Sequence, residues 1–192
     1  MEPSAATLRR AVASDDVRIL IGAPIGTENM DGGNREVHLY SSESGELLQS
    51  FAPPADLAGA NQGEFGRSVA FSRDLVLIGA PGDSTDGSDV GGAYLFSAET
   101  GRFLHRFQAP EISGADRFGT SVAINEHTIA IGAPGNGSSA GGGEAYLFSS
   151  GDYVMTQALH APWQIHSGDR PARDRLWGYS QGDIWHSAAR SG

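Results

Sequence analysis

Two stretches carry residue types that could do chemistry. "GYSQG", Gly178 to Gly182, fits the G-x-S-x-G pattern of a nucleophile elbow, with Ser180 in the nucleophile's place. "GDSTDGSDVGG", Gly82 to Gly92, sets Asp83, Asp86 and Asp89 in one glycine-rich loop. Carboxylates so arranged are the hard oxygen ligands that suit Ca²⁺, and the same Asp, Gly and Ser content equally describes a solvated turn-rich loop. The first repeat described below offers Glu28, Asn29 and Asp31 in the corresponding loop. His38, His105, His127, His160, His166 and His186 are scattered without a metal-ligand spacing such as H-E-x-x-H, so they read as structural. Arg67 and Arg106 read as solvated side chains.

An elbow serine needs a buried strand before it and a helix after it, followed in chain order by an acid and a histidine. The ten residues after Gly182 leave no room for them. Composition points elsewhere too: 27 glycines and 9 prolines in 192 residues suit many tight turns between short strands. A formal net charge of −10 disfavours phosphate backbones and anionic lipid surfaces, which excludes nucleic acid as an expected partner and favours cations. Without cysteine there is neither a disulfide framework nor a thiolate metal site. No apolar run approaches the roughly 20 residues of a membrane helix, so no membrane insertion is expected, and "MEPSAATLRR" has no signal-peptide core.

The elements that must position these residues announce themselves by repetition. "ILIGAP" (Ile19 to Pro24), "VLIGAP" (Val76 to Pro81) and "IAIGAP" (Ile129 to Pro134) each follow a valine ten residues before their glycine: Val12, Val69 and Val122. Each is followed by an aromatic strand word, "VHLYSS", "AYLFSA" or "AYLFSS". Phe65-Gly66 and Phe118-Gly119 open two copies, 53 residues apart. Within a copy, "FGRSVAF" and "LVLIGA" are separated by "SRD", which permits only a hairpin. "SAETG" and "SSESG" place a glycine where a second hairpin needs positive φ. Tyr40, Phe96 and Phe148 recur in phase and are expected as wedges between sheets, with His38 at the position of Tyr94 and Tyr146. Four short strands per unit follow, and such a sheet buries its apolar faces only by stacking on neighbours.

The ordered recurrence of Phe-Gly, Gly-Ala-Pro and the aromatic strand resembles the FG-GAP repeat of integrin α-subunit propellers, most closely the repeats of large bacterial surface and secreted proteins. The resemblance implies an all-β fold of four-stranded propeller blades, about three here, arranged as a partial or open propeller. The units are expected at 8–64, 65–117 and 118–170, after a lead at 1–7 and before a tail at 171–192. Leu8-Arg9 stands where the first Phe-Gly belongs, so the first opening strand is expected to be frayed or borrowed. "DRLWGYS" (Asp174 to Ser180) aligns with "DRFGTS" (Asp116 to Ser121), which makes Ser180 part of a degenerate fourth repeat. The tail, rich in tryptophan, covers the third blade or contacts a partner, or is a loosely ordered chain end.

Three blades do not close a ring, since propellers close with 4 to 8. The expectation is therefore a piece of a longer propeller, an open arc, or a subunit that self-associates through open blade edges. By resemblance the chain is a non-catalytic binding or adhesion module of a cell-surface or secreted protein, with a protein or carbohydrate ligand. The integrin-type calcium motif lies between the first two strands, where this chain has only "ASDD", "FSRD" or "INEH". Calcium is accordingly expected, if anywhere, at Asp83, Asp86 and Asp89. The alternative reading is a propeller attached to a larger hydrolase.

Overall fold

The structure is a computed structural model that describes residues 11–23, 36–54, 62–86, 90–110, 116–135 and 143–160. Among these, every element is a β-strand and no helix is long and apolar enough to cross a membrane. Blade 1 consists of β1 (Ala11–Ser14), β2 (Arg18–Ala23), β3 (Glu36–Ser41) and β4 (Leu47–Phe51). A short β5 (Gln62–Gly63) leads into blade 2, formed by β6 (Ser68–Ser72), β7 (Leu75–Ala80), β9 (Gly92–Ser97) and β10 (Phe103–Phe107). Between β7 and β9, β8 (Gly82–Asp83) pairs with β5. Blade 3 consists of β11 (Ser121–Ile124), β12 (Thr128–Ala133), β13 (Glu144–Ser149) and β14 (Met155–His160). Each blade is an antiparallel meander in sequence order, and together the three described blades form an arc that does not close.

The registers superpose. Val12↔Ile21, Val69↔Ile78 and Val122↔Ile131 pair the first two strands of each blade identically. A bulge interrupts the pairing of the outer two strands at the same place in all three: Leu39/Tyr40, Phe103/His105 and Leu147/Phe148. The first opening strand is neither frayed nor borrowed: β1 pairs with β2 from Ala11↔Gly22 to Ser14↔Ile19, because its alternating pattern suffices for a hairpin without the preceding Phe-Gly.

Two cores lie between the blades. Leu20, Val37, Leu39 and Phe51 of blade 1 face Val76, Ile78, Tyr94 and Phe96 of blade 2, with Phe65 between them. On its other side blade 2 sends Leu77, Ala93, Leu95 and Phe107 against Ile129, Ile131, Tyr146 and Phe148 of blade 3, with Phe118 between. Burial on both faces explains why β7 and β9 read as continuous apolar runs rather than alternating ones. Phe96 and Phe148 are buried as expected, Tyr40 is half-buried, and the residues that enter from the connecting segments as wedges are Phe65 and Phe118.

The repeated glycines have a tertiary purpose. In blade 2 the Gly66 amide donates to the Gly79 carbonyl, and in blade 3 the Gly119 amide donates to that of Gly132, so Phe-Gly closes onto Gly-Ala-Pro within a blade. Between blades, the Gly66 carbonyl lies against the Cα of Gly22, and the Gly119 carbonyl against that of Gly79, where a methyl would overlap it. The Ser68 hydroxyl donates to the same Gly119 carbonyl at 2.8 Å. Gly66 and Gly119 adopt φ of 86° and 89°, a conformation that L side chains rarely take. The hairpin glycines Gly45 and Gly101 have φ of 72° and 69°, as their turns require. Tyr153 takes the same left-handed place in blade 3 and stacks on His105 with ring centroids 5.1 Å apart.

Candidate functional site

The two ends of the arc differ. At one end the strands turn in tight hairpins: Asp15–Val17, Ser42–Glu46, Arg73–Asp74, Ala98–Arg102, Asn125–His127 and Ser150–Val154. Side chains hold them shut: Asp15 accepts from the Val17 and Arg18 amides, Asp74 from the Glu99 amide and Asn125 from the His127 and Thr128 amides. The other end carries the long segments, namely the connections after each Gly-Ala-Pro and those between blades, and in blade 2 the β5–β8 pairing brings one of each side by side.

Under this loop-bearing end lies the most heavily bonded polar group among the described residues. Asp83, on β8, is buried. Its Oδ1 accepts from the Thr85 amide at 2.9 Å and the Thr85 hydroxyl at 2.6 Å. Its Oδ2 accepts from the Tyr94 hydroxyl at 2.5 Å and from Arg106 Nε and Nη2 at 3.2 and 3.0 Å. Arg106 Nη1 reaches out to Asp86 at 2.7 Å and Gln108 at 2.9 Å. Burial by itself raises the Asp83 carboxyl, but the Thr85 and Tyr94 hydrogen bonds and the Arg106 charge outweigh it and hold the group below the ordinary value of 3.8. Burial, reinforced by the adjacent Asp83, pushes the Tyr94 hydroxyl well above its usual range. Burial opposes the charge on Arg106, but the Asp86 hydrogen bond and the Asp83 charge overcome it and keep the guanidinium protonated.

Arg106 is thus not the solvated residue that the sequence suggested: its side chain is only 11% exposed. Strand alternation puts it beside Tyr94, to which it pairs in register, and the β7–β9 connection folds Asp83 back over that position. The signal was present in blade 2's own pattern, where a strand arginine coincides with the blade whose loop is richest in aspartate. In the other blades the position of Tyr94 also meets an acid, with a different source. The Tyr146 hydroxyl donates to Glu144, and His38 Nε2 lies 3.7 Å from Glu36 while its Nδ1 is 3.0 Å from the Ser50 hydroxyl.

Of the three aspartates expected in the loop, the structure brings Asp83 and Asp86 together around Arg106, and Asp89 lies outside the described residues. A Ca²⁺ ion held by Asp83 would have to displace the donors of Thr85, Tyr94 and Arg106. Among the described residues no group of three His, Asp or Glu side chains is placed to hold a metal ion. Glu28, Asn29, Asp31, Leu8-Arg9, His166, His186, Ser180 and the tail from 171 also lie outside the described residues. His105, lowered by burial, packs on Phe107 and Tyr153, which matches its structural reading. Arg67 lies 3.9 Å from Glu64, which also accepts from Arg117 of blade 3 at 3.0 Å.

The carboxyl's depressed titration fixes the sign of an acid effect. A group that titrates lower when folded stabilises the fold above its unfolded value and loses that contribution as pH falls through the folded value. Stability should therefore hold down to about pH 4 and decline below it. In Asp83→Asn the decline should be shallower, measured by urea unfolding at a series of pH values. Equal slopes in both proteins would mean that other carboxylates govern acid unfolding.

Comparison with known proteins bears on this architecture. By fold the chain is similar to the computationally designed Ika8 protein (16% identity, TM-score 0.51), with 79% of this chain and 36% of that one covered. It is also similar to a europium-containing methanol dehydrogenase (10% identity, TM-score 0.53, covering 81% and 25%). A third is the quinohemoprotein alcohol dehydrogenase from Comamonas testosteroni (16% identity, TM-score 0.53, covering 81% and 21%). The chain thus spans between about a fifth and about a third of these proteins' lengths, and at such identities the likeness is one of fold. No curated protein matches the chain. The FG-GAP repeat family matches residues 57–96 and 104–148, the segments that carry both Phe-Gly words and their Gly-Ala-Pro partners, and these two segments are FG-GAP repeats.

Proposed function

We propose that this chain is a non-catalytic binding module of a cell-surface or secreted protein, presenting a protein or carbohydrate ligand with its loop-bearing end. The observation that carries this reading is the asymmetry of the arc: every long, glycine-, serine- and aspartate-rich connection emerges at one end, above a polar lock, while the opposite end is closed by short hairpins. Loops held on a rigid scaffold are where binding residues concentrate. The buried Asp83, Tyr94 and Arg106 support a holding role because they bond one another and Thr85, Asp86 and Gln108, and so fix the base of a loop instead of facing a substrate. The excess of acidic over basic residues favours a ligand surface that is neutral or basic.

The test replaces residues 24–35 and 136–142 with Gly-Ser segments of equal length and compares binding to glycan arrays and immobilised extracellular proteins. Binding by the native chain and its loss in the loop variant, with an unchanged unfolding midpoint, is the expected result. Ester hydrolysis by the native chain that disappears in Ser180→Ala would replace this reading with the hydrolase one. Calorimetric titration decides whether calcium belongs to the loops: heat that is lost in Asp86→Ala places a cation there, and no heat from either protein leaves these carboxylates to Arg106.

A further inference from the structure

Blade 3 turns away from blade 2 a face made of Ala130, Ala145, Leu147 and Leu159. By register these are the positions of Leu77, Ala93, Leu95 and Phe107 in blade 2, and of Leu20, Val37, Leu39 and Phe51 in blade 1. In those blades the same face is buried beneath Phe118 or Phe65, whereas Leu159 is 42% exposed. The socket for the next Phe-Gly is also formed and unfilled among the described residues. A methyl on Gly22 or Gly79 would overlap a glycine carbonyl of the following blade, but on Gly132 the atoms nearest to it belong to Ser121 of its own blade. Ser121, in the register position of Ser68, is exposed, while Ser68 donates to the Gly119 carbonyl.

Two occupants have the right chemistry, and the chain's own residues choose between them. Blade 1 of a second copy would bring Leu8-Arg9, so that arginine falls where Gly66 and Gly119 have φ of 86° and 89°. It would also set Glu126 in the place that Arg73 holds at the blade 2–blade 3 boundary and Asp16 in the place of Glu126, and so oppose two acids. The segment "DRLWGYS" instead supplies an aromatic residue followed by glycine. Phe118 comes 11 residues after Phe107 and Phe65 comes 14 after Phe51, while Trp177 comes 18 after Leu159. A longer connection of that size adds only a small closure cost, because the entropy grows with the logarithm of loop length.

We propose that residues 174–180 dock on the open face of blade 3, with Trp177 in the role of Phe118 and the Gly178 carbonyl against Gly132 and the Ser121 hydroxyl. The segment caps the exposed end of the arc and keeps that face from a second copy.

The 192-residue chain with Trp163→Phe and Trp185→Phe has Trp177 as its one tryptophan. Its emission should be blue-shifted and its quenching by acrylamide several-fold weaker than in the urea-unfolded chain, independent of protein concentration. Adding Gly178→Val should return both to the unfolded values while the amides of β9 stay protected from hydrogen exchange. A second variant, Leu147→Glu, should do the same from the blade side. Unfolded-like emission in the parent overturns the proposal, as does burial that survives Gly178→Val. Burial that appears only as the protein dimerises overturns it too and assigns the face to a second copy.

Discussion

Arg106→Leu should destabilise the protein by about 3 to 5 kcal/mol, because it strips the countercharge from a buried carboxylate whose ionised form it helps to hold. Thr85 and Tyr94 would still donate to Asp83, but neither carries positive charge, and the low-dielectric surroundings magnify the deficit. Asp83→Asn should cost less, since Arg106 keeps Asp86 and Gln108 and its outer nitrogen reaches towards solvent. The double variant Asp83→Asn/Arg106→Leu should be more stable than Arg106→Leu alone, because replacing both members of a buried pair is far milder than removing one. Urea unfolding of the four proteins gives the coupling directly. A loss below about 1 kcal/mol in Arg106→Leu would reduce the contact to a surface ion pair of little weight.

Gly79→Ala should cost about 3 kcal/mol and act on the contact between blades rather than on the hairpin. The added methyl would overlap both the Ser68 hydroxyl, which can rotate away, and the Gly119 carbonyl, which is backbone of the next blade and cannot move without parting blades 2 and 3. Ser68→Ala should therefore fail to rescue it. Gly45→Ala is the control: its φ of 72° also disfavours a side chain, but nothing lies within 4 Å of the new methyl. It should lose only about 1 kcal/mol, the cost of the left-handed backbone alone. Hydrogen exchange should show blade 3 opening ahead of blade 1 in Gly79→Ala. Equal costs for the two substitutions would remove the interblade approach as the reason for the Gly-Ala-Pro glycine.

These two sites mark how far the residues could be read without the fold. The Phe-Gly and Gly-Ala-Pro words were legible as a repeat, and the three-residue "SRD" connection was legible as a hairpin. Their mutual dependence was not, since Gly79 and Gly119 are 40 positions apart and meet only when one blade stacks on the next. Asp83 was legible as a loop carboxylate, yet its environment comes from Tyr94 and Arg106 on two different strands. An arginine on an outer strand ordinarily faces water, and only the fold-back of β8 against β5 brings an acid within its reach.

The sequence by itself determined the four strands of each blade, their order and their turns: apolar runs, hairpin-length connections and glycines at φ of 72° and 69° are local properties of the chain. Tertiary structure decided which faces were buried, which glycines could not carry a side chain, and which carboxylate lost its contact with water. Those are properties of one sheet against another, and no single blade contains them.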